Sequence, residues 1–154
     1  MKQWGLGRTA AIFVLATSVA ACSSMGSMGS MSSAVSAFDQ LGGMSSVNKL
    51  ASGFVNSSLK DPRLSGLTAG KNIDAAASSA KVSDQLCSML GGGCKAPLTD
   101  EQLSSAASKL SPDQKKAVSD NFSSTLDSLA SNPAVRETVT KALGSKVGGL
   151  AGFL

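Results

Sequence analysis

Thr99-Asp100-Glu101-Gln102 and Ser111-Pro112-Asp113-Gln114 decide the fold. In each, a hydroxyl residue stands three places before a glutamine, the spacing at which side chain and backbone satisfy one another at a helix start. The second adds proline at the first helical position, where its missing N–H costs nothing. Leu103, Ala106, Ala107 and Leu110 then give one helix its apolar side, and Val118, Phe122, Leu126 and Leu129 give the next its own. Downstream, Asn132-Pro133 opens a further helix through Val135, Val139, Leu143 and Val147, and Gly144, Gly148, Gly149 and Gly152 are expected to loosen the C-terminus.

Upstream the same period continues. A helix is predicted from about Asn72 to Leu90, with Ile73, Ala76, Ala77, Ala80, Cys87 and Leu90 as a narrow alanine-rich face. Before it, Ser45 or Ser46 can cap a helix bearing Val47, Leu50, Ala51, Phe54, Val55 and Leu59, which Asp61-Pro62 stops because a residue preceding proline avoids the helical region. Leu64 and Leu67 dock the following loop. A short first helix spans about Ala37–Leu41 and ends at Gly42-Gly43. No stretch alternates apolar and polar residues as a strand would. The expectation is an all-α domain of about six helices over residues 37–154, large enough for one modest core.

What precedes that domain reads as an address. Lys2 and Arg8 flank the start of an apolar run from about Ala10 to Ala16, too short to span a bilayer, and small residues lead to Ala20-Ala21-Cys22. This is the layout of a bacterial lipoprotein signal over residues 1–21, with Cys22 as the acylated first residue of the mature chain. Several acyl chains anchor stably where one does not. Ser23, in place of the aspartate that retains such proteins at the inner membrane, favours the periplasmic face of the outer membrane. Residues 22–36 form a Ser/Gly/Met stretch read as a flexible tether, and Met25, Met28 and Met31 are linker composition before they are soft-metal ligands.

Composition narrows the chemistry. The chain has 154 residues, no histidine and a formal net charge of +4, of which Lys2 and Arg8 belong to the leader. Without histidine it lacks the commonest general base and metal ligand. There is no basic run with interleaved aromatics, so nucleic acid is not expected as a partner. Cys87 and Cys94 flank Gly91-Gly92-Gly93, which lets the chain reverse. In an exported chain they read as a structural disulfide worth about 2–3 kcal/mol, since redox catalysis favours a closer C-x-x-C pair.

Phe38-Asp39-Gln40-Leu41-Gly42-Gly43, Phe54, and Leu59-Lys60-Asp61-Pro62-Arg63-Leu64 together resemble the opening of group 1 truncated globins. Asp84-Gln85-Leu86-Cys87 with Gly92-Gly93-Cys94 is similar to the exported lipoprotein branch of that family. The resemblance covers about residues 37–150 and implies a helical haem pocket. It also implies a proximal histidine and a tyrosine beside the phenylalanine of the second helix. Those places fall on Ala106 or Ala107 and on Val55, so the family's iron-facing chemistry is expected to be lost. Met44, Met89 or a lysine are substitute ligands in principle, with core filling the simpler role for methionine.

Asp113, Asp120 and Asp127 recur along one helix at a spacing too wide to share a cation, and read as a solvated face. No serine has a histidine base, and the glycine run lacks the strand and Lys-Ser/Thr of a phosphate loop. The expectation is therefore a non-enzymatic protein without metal or cofactor. It is held to the membrane through Cys22, and its helical domain serves as an interaction module for another envelope protein. The alternative is a carrier of haem or another apolar ligand in a pocket lined by Phe54, Val55, Leu86, Leu103, Ala107 and Phe122.

Overall fold

The computed structural model describes residues 36–154, and these form helices with no strand among them. The expected signal, Cys22 and nearly all of the tether lie outside the described residues. The first helix, α1, is Ala37–Leu41, with the Ser36 hydroxyl accepting from the Asp39 N–H. Gly42 (φ +106°) turns the chain directly into α2, Gly43–Lys60. That left-handed step suits glycine, and it moves the start of α2 ahead of the Ser45 or Ser46 cap expected from the sequence.

A 3-10 turn at Pro62–Leu64 and a single helical turn, α3 (Ser65–Thr68), follow, burying Leu64 completely. Next come α4 (Ala75–Met89), capped by Asp74, and α5 (Asp100–Ser108). Both expected capping boxes close, Thr99 with Gln102 opening α5 and Ser111 with Gln114 opening α6, Pro112–Leu129. Helix α7, Pro133–Leu143, starts on Asn132 as the dipeptide predicts. None of the helices among the described residues is long and apolar enough to cross a membrane.

Helix α2 lies at the centre and packs against both α4 and α6. Its stripe of Val47, Leu50, Ala51, Phe54 and Val55 is fully buried. The next place on that face is taken by Ser58 rather than Leu59, which remains partly exposed. Ser58 Oγ is buried and has no hydrogen-bond partner.

Two expectations are corrected by the packing. On α4 the alanines Ala76, Ala77 and Ala80 face outward, while Ser78, Ser79, Val82, Ser83, Gln85, Leu86 and Cys87 are buried. The serines survive burial because each hydroxyl has an acceptor. Ser78 Oγ donates to the Phe153 carbonyl (2.8 Å), Ser79 Oγ to the Ala75 carbonyl (2.6 Å), and Ser83 Oγ to Asn48 Oδ1. Gln85 Oε1 accepts the Leu98 N–H at 2.9 Å, tying α4 to the segment that leads into α5.

The glycine-rich C-terminus is the second correction. Gly144–Phe153 forms a 3-10 helix laid against α5, with Gly149, Leu150 and Ala151 buried. A Cβ on Gly149 would stand 2.6 Å from the Leu103 carbonyl oxygen and 2.7 Å from its Cβ. Glycine thus brings two backbones together instead of loosening them.

Because the atom in the way at Gly149 is backbone, Gly149→Ala should cost about 1–3 kcal/mol in urea unfolding. Ser58→Ala should move the other way, adding about 1 kcal/mol by removing a buried hydroxyl that nothing satisfies. Both are read from the unfolding midpoint at constant slope.

Candidate functional site

Cys87 and Cys94 meet across the turn that ends α4, with sulfurs at bonding distance and Cα atoms 5.6 Å apart. Cys87 is wholly buried and Cys94 half-buried. The turn is crowded: a Cβ on Gly92 would lie 2.6 Å from Cys87 Sγ and equally near the Phe38 ring. Phe38 N–H donates to the Leu90 carbonyl at 3.0 Å, so α1 seats on the end of α4 over the cysteine pair.

The six residues expected to line a ligand pocket divide. Phe54, Val55, Leu86 and Phe122 join the main core, Leu86 and the two α2 residues with no exposed surface. The Phe54 and Phe122 rings meet edge to face at 6.1 Å, a favoured geometry for aromatic pairs. Leu103 is equally buried but lies under Gly149 of the C-terminal helix. Ala107, one turn along the same face of α5, is partly buried and faces Gly148. Ala106, the other place that alignment gave to the proximal ligand, faces Gly152. Met44 is solvent-exposed, and Met89 packs at the edge of the core. Among the described residues no three of His, Cys, Asp and Glu gather to hold a metal ion.

Surface clefts lie elsewhere. One, of about 670 Å³, opens where α5, α6 and the beginning of the C-terminal helix converge. Ser104, Ala107 and Ser108 line it from α5, Lys115 and Ser119 from α6, and Lys146 from the third side. Each pair at i, i+4 shares a helix face, which is why two short polar patterns end in one place. Two others, of about 410 and 430 Å³, lie between α2 and α4 and beside the C-terminal helix. Phe54, Val55, Leu86, Leu103 and Phe122 line none of the three.

The carboxylates of α6 go to separate cations. Asp127 pairs with Arg136 at 2.9 Å, whereas Asp120 accepts from both Arg63 and Lys116, each at 2.9 Å. Arg63 also grips Asp61 (2.8 Å), and Asn121 Nδ2 donates to the same carboxylate at 3.0 Å. This network clamps the end of α2 onto α6. The Arg63 hydrogen bond, with that from Asn121, holds the Asp61 carboxyl down at about 2, below its ordinary 3.8. Arg63 is correspondingly raised.

No family model, curated protein or solved structure matches the chain.

A carboxylate whose pKa is depressed on folding stabilises above its unfolded pKa and ceases to do so as pH falls through the folded value. The stability advantage of the natural chain over Asp61→Asn should therefore be full at neutral pH and shrink between about pH 4 and pH 2. Unfolding midpoints of the two proteins across that range check it; a gap that stays constant would assign Asp61 a role independent of its charge.

Proposed function

We propose that this chain is a lipid-anchored component of the bacterial cell envelope whose helical domain is a non-enzymatic interaction module. In this reading residues 1–21 are removed as a signal and Cys22 carries the acyl anchor, facing the periplasm from the outer membrane. Residues 22–36 give reach, and the domain of residues 37–154 meets another envelope protein. Oxidation in that compartment makes the Cys87–Cys94 pair a covalent staple of the α4 turn. The globin-like motifs are read as descent from a haem-binding fold that no longer carries haem.

One observation supports the interaction module over the carrier. Phe54, Val55, Leu86 and Phe122, which a carrier would array around a void, are packed into the core. A void of the several hundred Å³ that a small-molecule site needs would leave those side chains accessible. The serine-lined, lysine-bearing character of the outer surface suits polar recognition.

Lipid labelling, haemin titration and crosslinking test the proposal. Radiolabelled palmitate should enter the natural chain and be absent from Cys22→Ser, which should also leave the outer-membrane fraction. Titration with haemin should give no stoichiometric Soret band, and chemical crosslinking in intact envelopes should capture a discrete partner. A sharp Soret band at one equivalent would install the carrier in its place. A chain that crosslinks to nothing at any expression level would defeat the interaction role.

A further inference from the structure

The cleft between α5, α6 and the C-terminal helix holds an unspent set of donors. Ser104, Ser119 and Ser145 line it, and none of their hydroxyls has a hydrogen-bond partner among the described residues. Lys115, on the same side of α6 as Ser119, has no counter-ion there either. Lys146 at the rim is held by both Asp100 oxygens, at 2.8 and 2.9 Å. Two ammonium groups against one carboxylate leave the cleft with one positive charge in excess. Gly144, where a Cβ would meet nothing within 4 Å, adds wall with no side chain, so a ligand can approach the backbone.

We propose that this cleft binds a phosphate group. A metal cation would meet ammonium groups, and a neutral ligand would leave Lys115 unused. A carboxylate offers two oxygens to a set of three hydroxyls and an ammonium. Phosphate offers three strongly accepting oxygens and the matching charge. Asp100 then acts against binding: its carboxylate repels the anion and occupies Lys146. The chemistry is shared by a free phosphomonoester and by the monoester headgroup of phosphatidic acid, each with three terminal oxygens, and the source is decided by measurement.

The full chain, purified in a non-ionic detergent, is titrated calorimetrically with inorganic phosphate and with short-chain phosphatidic acid. Short-chain phosphatidylcholine is the zwitterionic control. Saturable binding of one equivalent is expected. Lys115→Gln, an exposed position on α6, should weaken it at least fivefold, and Asp100→Asn should strengthen it by a similar factor. Lys81→Gln, exposed on α4 away from the cleft, should leave it unchanged. Tighter binding of inorganic phosphate than of phosphatidic acid assigns a soluble ligand; the reverse order, with no saturable binding of phosphatidylcholine, assigns a lipid headgroup. Absence of saturation with either, or saturation indifferent to both Lys115→Gln and Asp100→Asn, overturns the proposal.

Discussion

Close approach of helix backbones is the constraint on which the rest of this domain depends. The chain has five phenylalanines, one tryptophan and no tyrosine, and the tryptophan falls outside the described residues. A core so short of large side chains fills its volume only if its helices draw together. Gly53 of α2 meets Thr125 of α6, where a Cβ would stand 2.5 Å from the threonine methyl. Gly149 meets the Leu103 backbone, and Gly92 meets both Cys87 and Phe38. At each crossing the absent side chain does structural service. The large residues that remain, Phe54 and Phe122 among them, occupy what is left between α2 and α6.

How far this was legible varies with the kind of signal. Helix starts were written locally: Thr99 with Gln102, Ser111 with Gln114, and Asn132 before Pro133 all cap where their spacing places them. The stripe of α2 was equally plain, since Val47, Leu50, Ala51 and Phe54 are apolar on any scale. On α4 the same logic placed Cys87 and Leu90 correctly but failed at Ala76, Ala77 and Ala80, which face outward. Alanine counts as apolar and serine as polar, yet the two differ by one oxygen. Burying the serine side costs little once Phe153, Ala75 and Asn48 accept the hydroxyl protons. Phe153 and Asn48 lie far from those serines in the chain, so no local window contains them. The C-terminal glycines misled for a related reason: their value depends on Leu103, which only the fold brings near.

The candidate sites follow the same division. Cys87 and Cys94 are neighbours across a glycine turn, and nearness in sequence carried over to nearness in space. The apolar pocket inferred from the globin-like motifs was a statement about helices meeting at long range. Its six residues divide between the main core and the underside of the C-terminal helix, where Leu103 and Ala107 meet Gly149 and Gly148. The cleft between α5, α6 and the C-terminal helix went unread because serines and lysines at i, i+4 resemble any wetted helix surface. Asp120, by itself an ordinary exposed acid, gains meaning only through Arg63, whose partner Asp61 closes the network against α6.

The hydroxyl seam along α4 has a thermal corollary. Unfolding a helix crossing built on serine and glycine hydrates much polar and comparatively little hydrocarbon surface. Polar exposure lowers the heat capacity of the unfolded chain whereas hydrocarbon exposure raises it. That crossing therefore adds less to the heat-capacity increment on melting than an equal area of leucine and valine would.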